Sequence, residues 1–293
     1  TNLRELHEAG AVAVSDDGKP VADSALMRAA LEEAHLTKMA VVSHCEDPYL
    51  GAGGGMNEGA LARRLGYKGI SAAAEEIMIA RELLLARTTG MPVHIAHVST
   101  AVGVELIRFA KQNRVRVTAE TCPHYFSLSQ NAVERYGTAA KMTPPLRTEE
   151  DREAVIRGLR DGTLDVIATD HAPHGAEEKA QPFDQAPSGI TGFETALGLG
   201  ILCLVRPGHL TLAHLLEKMT AIPAAVLRVE KGTLQPGADA DIVFFDPEEP
   251  YVYEADQSLS KARNTPFDGW TLYGRPRYTV RAGEIIAQDG KLK

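Results

Sequence analysis

Five short apolar runs in this chain each end, on the C-terminal side, in a carboxylate or an imidazole. That pattern limits the fold more than any single motif does. Residues 10–15 run into Asp16-Asp17-Gly18, residues 40–43 into His44-Cys45-Glu46-Asp47, residues 92–98 contain His97, and residues 115–121 run into Cys122-Pro123-His124. The last is Leu164-Asp165-Val166-Ile167-Ala168-Thr169-Asp170-His171-Ala172-Pro173-His174, where Pro173 blocks further regular structure. Ionisable groups clustered where a buried strand surfaces point to a metal or an acid–base site. For this last segment taken alone a plainer alternative is open, in which Asp170 caps the next turn and the histidines are solvated.

Helical patterns separate the runs. Residues 1–6 already look helical and lead into the first run. Asp23 or Ser24 can cap a helix whose apolar stripe is Leu26, Ala30, Leu31 and Ala34. Residues 72–87 form another, with Ile77, Ile79, Leu83, Leu84 and Leu85 as a broad apolar face and Gly90 just past its end. A third lies around 104–113. Thr148 opens a fourth, with Asp151 three positions on in a capping-box arrangement. Gly51-Ala52-Gly53-Gly54-Gly55 reads by composition as a mobile loop.

Five β-then-α units with near-continuous apolar strands argue for a parallel sheet covered by helices. An open sheet would carry a glycine-rich phosphate loop at its switch point, and the 51–55 run neither fits that pattern nor opens a helix directly. In a barrel the C-terminal strand ends converge on one mouth, and Asp17, His44, His97, His124 and Asp170 all fall there. The expected fold class is therefore α/β: a metal-dependent (β/α)8 TIM-type barrel, of which residues 1–230 carry the later strands. Beyond about residue 231 the chain becomes turn-rich. Ile242-Val243-Phe244-Phe245 and Tyr278-Thr279-Val280-Arg281 read as strands and Gly283-Glu284 as a hairpin turn, so residues 231–293 are expected to form a small β-sandwich appendage.

Composition narrows the function classes. The 293 residues are 44% hydrophobic and 24% charged, an ordinary globular balance. A net charge of −8 with no basic cluster argues against nucleic acid as a partner. No apolar run approaches the roughly 18–20 residues of a membrane span, and no signal peptide is visible at the start. Cys45, Cys122 and Cys203, odd in number, read as reduced thiols in a cytoplasmic protein.

The strand-end set offers imidazole and carboxylate donors with no thiolate required. Asp17, His44, His97 and Asp170 together suit Zn2+, or Mn2+, Co2+ or Fe2+, in an open catalytic site. Two metals about 3.5–4 Å apart can hold a hydroxide that is nucleophilic at neutral pH, and Asp170 beside it can take a proton and return it to a leaving nitrogen. A histidine beside a strand end, His44 or His97 taken alone, is more often structural than a ligand. His94, at an odd spacing from His97, faces the opposite side of its strand and is expected to be packed. His35, His209 and His214 are expected at the surface, and Cys45 as a small buried residue. Whether His124 lines the mouth stays open.

Ser15-Asp16-Asp17-Gly18, His44-Cys45-Glu46-Asp47, Met56-Asn57-Glu58-Gly59, His94-Ile95-Ala96-His97-Val98-Ser99 and Asp170-His171-Ala172-Pro173-His174 resemble, in order along the chain, the bacterial type I dihydroorotases of the amidohydrolase superfamily. Arg263-Asn264-Thr265-Pro266-Phe267-Asp268-Gly269-Trp270 and the Gly237-Ala238-Asp239-Ala240-Asp241-Ile242-Val243 stretch fit the same cyclic-amide hydrolase branch. The resemblance implies reversible hydrolysis of L-dihydroorotate to N-carbamoyl-L-aspartate in pyrimidine synthesis. It implies two Zn2+ per complete site and a homodimer, and leaves a complex with aspartate transcarbamoylase open. Asp17, rather than Asp16, would be the carboxylate ligand standing in for the carboxylated lysine of hydantoinases and allantoinases. His44 and His97 would bind the second metal. Asp170 would bind the first and act as general base and acid. His174 and the Pro187-Ser188-Gly189 loop, through Pro187 and Gly189, would contact the substrate.

Three features depart from the family pattern. The His-x-His ligand pair and the substrate-gripping arginine of its first strand are not in this sequence, and five strands cannot close an eight-stranded barrel. The chain is therefore expected to be part of a longer protein and inactive alone. Thr143, in Lys141-Met142-Thr143-Pro144-Pro145-Leu146-Arg147, stands where type I members carry a substrate-contacting asparagine. Glu120-Thr121-Cys122-Pro123-His124-Tyr125 looks more like hydantoinases and allantoinases. A hydantoinase-like enzyme and a non-catalytic partner of aspartate transcarbamoylase are the alternatives these departures raise.

Overall fold

A computed structural model describes residues 2–293; Thr1, the first residue of the expected helical lead-in, lies outside them. The apolar runs form strands where the sequence places them: β1 (Ala13–Ser15) and β2 (Ala40–Ser43), then a side excursion of β3 (Met56–Asn57) and β4 (Gly69–Ile70), then β5 (Val93–Ile95), β6 (Val117–Thr121) and β7 (Val166–Ile167). The main sheet has the order β1-β2-β5-β6-β7, and every pairing in it is parallel, with Val14 opposite Val41, Val42 opposite His94, Val93 opposite Val117 and Glu120 opposite Val166. Parallel neighbours need a crossover, and helices supply it. This is the helix-covered α/β arrangement of a barrel, with five consecutive strands present and the circle open among the described residues.

The crossover helices Ser24–Leu36, Ala73–Thr89, Ala101–Gln112 and Glu149–Asp161 pack on one another in that order. Their buried residues recur at helical spacing: Met27, Leu31 and Ala34; Ile79, Leu83 and Ala86; Val104, Ile107 and Ala110; Val155 and Leu159. Each fully buried leucine or isoleucine stabilises by roughly 1.5–3 kcal/mol. Leu26, Ile77 and Leu84, expected on the apolar stripes, instead face outward at 59%, 52% and 61% exposure. A crossover helix must serve both the sheet and its helical neighbours, so its buried arc is set by tertiary placement, and Met27 and Met78 take inner positions. Asp23 caps its helix through bonds from Ala25 N and Leu26 N. Thr148 and Asp151 form the full capping box.

The glycine run departs from its expectation. Gly51 and Gly55 are buried, and a Cβ at Gly54 would lie 2.4 Å from Ile70 Cγ1 and 2.8 Å from Gly69 O. Glycine here permits close backbone approach to β4 rather than mobility. The β3–β4 excursion is fastened by Arg147, whose buried guanidinium donates to Ser99 Oγ (3.1 Å), Asn57 Oδ1 (3.0 Å), Ile70 O (3.2 Å) and Glu75 Oε2 (3.3 Å). Glu75 also accepts from Ser99 N and Thr100 N. The bonds satisfy both buried charges, as burial requires.

Residues 242–292 add β8 (Ile242–Phe245), β9 (Pro250–Val252), β10 (Thr271–Tyr273), β11 (Pro276–Arg281), β12 (Glu284–Gln288) and β13 (Lys291–Leu292). Four of these make an antiparallel sheet, β13-β12-β11-β8, and β9 pairs with β10. The β11–β12 turn has Ala282 and Gly283 both at positive φ, the geometry of a two-residue hairpin. Tyr253, Ala255, Phe267 and Leu272 return to the main core.

Arg147→Met leaves Glu75 buried without its cation, so it should lower stability by about 3–5 kcal/mol, whereas Thr148→Ala, at a half-exposed cap, should cost about 1 kcal/mol. Urea unfolding of the two variants measures the contrast; equal losses would contradict the role given to the Arg147 network.

Candidate metal centre

Asp17, His44 and His97 follow three adjacent strands, and the parallel register carries their side chains to one point. His44 Nδ1 lies 2.7 Å from His97 Nε2 and 2.9 Å from Asp17 Oδ1, and His97 Nε2 lies 3.4 Å from the same oxygen. The two imidazoles are buried, at 4% and 5% side-chain exposure, while the carboxylate sits on the rim at 57%. Asp16 does the tying: its Oδ1 accepts from His44 N (2.7 Å) and its Oδ2 from Val21 N (2.8 Å). This fixes the end of β1 to the end of β2 and leaves Asp17 free to face the histidines. His97 has φ +35 and Asp170 has φ +46. Left-handed backbone is costly for residues with a Cβ and concentrates at functional sites.

The carboxylates around His44 favour positive charge within the cluster. Glu46 Oε2 lies 3.1 Å from His44 Nε2, so the ring's outer N–H has a carboxylate acceptor and its Nδ1 points at Asp17 and His97. Without a metal, burial works against a charged His44, but the hydrogen bonds to Asp17 and then Glu46 outweigh it and raise its pKa to about 9. Asp17 is held well below the usual carboxylate range by its bonds with His44 and His97. A proton on His44 Nδ1 thus occupies the place where three donor atoms converge. His97 Nδ1 is buried with no partner among the described residues. Two nitrogens and one oxygen aimed at one point, with an open outer side, fit the donor set of a divalent transition metal.

A second group lies beside the first. Ligand atoms of Cys122, His124 and Asp170 are within 4.8 Å of one another. Burial raises the Asp170 pKa, with the charges of His97, Asp17, His44 and Glu120 acting on it in turn. His124 is buried, its Nε2 is unpartnered, and burial followed by the charge of His97 lowers it to about 3. His94 is packed as expected: Thr118 Oγ1 at 2.8 Å and Glu120 Oε2 at 3.0 Å take its two ring nitrogens. Cys45 is buried and His214 exposed, while His35 and His209 are half-buried rather than at the surface.

The residues expected to meet a substrate converge on one loop. His174 Nε2 donates to Ser188 O (2.8 Å), and Thr143 Oγ1 donates to Ser188 Oγ (3.1 Å). Gly189 N donates to Lys141 O, two residues before Thr143, and Pro187 is bound through its carbonyl by Lys179. Gly189 has φ +123, and a Cβ there would lie 2.5 Å from Ala172 Cβ and 3.2 Å from His174 Nε2, so only glycine fits. Asn264 binds both sides of this contact, to Ala172 O and Gly189 O.

Sequence reasoning gave no role to Asp16, Glu46, Glu120, Lys141 or Lys179. For Glu46 a signal existed, since position i+2 from His44 lies on the same side of an extended segment. The lysines gave none, because a long cationic side chain reads as solvated until its neighbours are known.

The family model described as "Amidohydrolase family" matches residues 1–286. The dihydroorotase of Acetivibrio thermocellus is 52% identical over 289 residues, covering 99% of this chain and 68% of that protein. The dihydroorotase of Pelotomaculum thermopropionicum is 54% identical over 287 residues, covering 98% and 67%. The chain thus spans about two thirds of the length of these relatives. Among solved structures, the L-hydantoinase of Arthrobacter aurescens aligns with a TM-score of 0.86 at 29% identity, over 99% of this chain and 68% of that one. A D-hydantoinase aligns at 0.84 and 26%, over 99% and 67%.

His124 has a folded-state pKa of about 3 against 6.5 unfolded. The unfolded chain therefore binds its proton first, and stability should fall as pH drops from about 6.5 toward 3, by up to about 1.4 kcal/mol per pH unit. Urea midpoints at pH 7 and pH 5 should differ less in His124→Asn than in the parent; an unchanged difference would contradict a buried neutral imidazole.

Proposed function

The chain belongs to the amidohydrolase family, and we propose that it carries the metal-binding and substrate-binding residues of a zinc-dependent dihydroorotase, which interconverts L-dihydroorotate and N-carbamoyl-L-aspartate. The observation that carries this reading is the convergence of Asp17, His44 and His97 at 2.7–3.4 Å. It is supported by relatives named dihydroorotase at 50–54% identity over nearly the whole chain. The hydantoinases share the fold at 29% identity or less among the neighbours reported above.

In this reading Asp17, His44 and His97 would hold one divalent cation, and Asp170 would contribute to holding a second. When bound, the metals supply Lewis acidity toward the ring amide carbonyl and lower the pKa of water. The protein's own work is to place and move protons. Asp170 carries a pKa raised by burial, which suits a group that accepts a proton during attack on the carbonyl and hands it to the departing ring nitrogen. His174 and Thr143 line the loop whose Pro187 and Gly189 backbone meets the substrate. Thr143 offers one hydroxyl where an asparagine would offer a paired donor and acceptor. Zn2+ is the metal proposed for the nitrogen-rich cluster, with Mn2+, Co2+ and Fe2+ as chemically compatible alternatives.

Steady-state assays of the complete gene product on dihydroorotate, hydantoin and allantoin test the reading. Turnover of dihydroorotate is expected, and activity confined to the other two would replace it with the hydantoinase reading. Asp170→Asn should lower kcat by about 10²- to 10⁴-fold while circular dichroism stays unchanged. Metal binding should release a proton from His44, so Zn2+ affinity measured by calorimetry should weaken about tenfold per pH unit below about 9. A pH-independent affinity would remove His44 Nδ1 from the cation site.

A further inference from the structure

Two lysines are buried under the loop of residues 183–189, and all their hydrogen bonds go to main-chain carbonyls. Lys141, 5% exposed, directs Nζ to Phe183 O (2.6 Å), Ala186 O (2.6 Å) and Asp184 O (3.5 Å). Lys179, 7% exposed, directs Nζ to Pro187 O (2.9 Å), Gly189 O (3.1 Å) and Lys141 O (3.4 Å). An ammonium has three N–H donors and no acceptor, so each lysine is fully used. Burying a cation without a bonded carboxylate is costly. Here the two also oppose each other: burial and then the charge of Lys141 lower Lys179 to about 8.

What the arrangement achieves is a loop with its carbonyls turned inward. Lys179 takes Pro187 and Gly189, and His174 takes the Ser188 carbonyl between them. Lys141 is joined to the same loop through its own backbone, since Gly189 N donates to Lys141 O. It also leads directly into Met142 and Thr143, which reaches Ser188 Oγ. The helix Ala176–Lys179, the Thr143 strap and residues 183–189 are thereby locked to one another. An uncharged apolar residue at position 141 would take the lysine donor from Phe183 O and Ala186 O, and one at position 179 would take it from Pro187 O, while Asn264 would still hold Gly189 O; the loop would have to move to find other donors.

We propose that Lys141 and Lys179 are positioning residues: a paired-cation clamp that fixes the backbone of Pro187-Ser188-Gly189 in its substrate-binding conformation. The inference rests on the dihydroorotase reading for the identity of the substrate, but not for the clamp itself. The test compares Lys179→Met with Lys179→Gln, which keeps two N–H donors, in the complete gene product with its metal bound. Amide hydrogen exchange of residues 183–189 is followed beside kinetics on dihydroorotate. In Lys179→Met, exchange should quicken in that segment and KM should rise by about tenfold or more with kcat within about threefold. Lys179→Gln should show smaller changes of the same kind and serves as the readout if the methionine variant does not fold. Faster exchange with an unchanged KM, or a fall in kcat alone, would overturn the positioning role. Unchanged exchange in both variants would overturn the clamp. An inactive parent enzyme would refute the dihydroorotase reading instead, and exchange would still decide the clamp.

Discussion

Two buried imidazole nitrogens and a carboxylate oxygen on the rim, all within 3.4 Å of one another, repel through their lone pairs unless a proton or a cation lies between them. His44 Nδ1, His97 Nε2 and Asp17 Oδ1 form such a set, and the rest of the local structure serves to bring it about. In the metal-free state a proton on His44 supplies the charge, held from behind by Glu46 and in front by Asp17. In the proposed metal site a divalent cation would displace the same proton, which would link affinity for the metal and acidity of the medium through one ring nitrogen.

The architecture delivers those atoms by ordinary means. Parallel strands end together on one side of the sheet, and each ligand-type residue follows a different strand, so no local sequence motif has to contain the whole site. Asp16 binds across from β1 to the His44 amide and fixes the lateral spacing. His97 and Asp170 turn out of their strands through left-handed backbone, a strain that packed neighbours sustain. Arg147, Lys141 and Lys179 do for the loops what the sheet does for the strands. They put full charges on the inner side of polar backbone that would otherwise be free to rearrange.

Much of this was legible in the sequence because its signals were local. The five apolar runs, the Asp23 cap, the Thr148–Asp151 box and the final hairpin, expected at Gly283-Glu284 and found one residue earlier at Ala282-Gly283, each depend on residues a few positions apart. The convergence of Asp17, His44 and His97 at strand ends was legible once a parallel sheet was inferred, whereas Asp170, expected with them, groups with Cys122 and His124. What was illegible depends on long-range packing. Leu26, Ile77 and Leu84 fit an apolar stripe by spacing but lie on the outer arc of helices that have several neighbours. Gly54 has the composition of a mobile loop and the environment of a close backbone crossing. Lys179 has the sequence context of a solvated helix end, and only contacts with residues 187–189 show that it is buried.

Anomalous diffraction at the zinc edge from crystals of the zinc-loaded protein tests the central claim most directly. A peak is expected at the meeting point of His44 Nδ1, His97 Nε2 and Asp17 Oδ1, about 2.0–2.2 Å from each after small side-chain adjustment. Zinc bound elsewhere with this cluster empty, and His44 still hydrogen-bonded to Asp17, would contradict it.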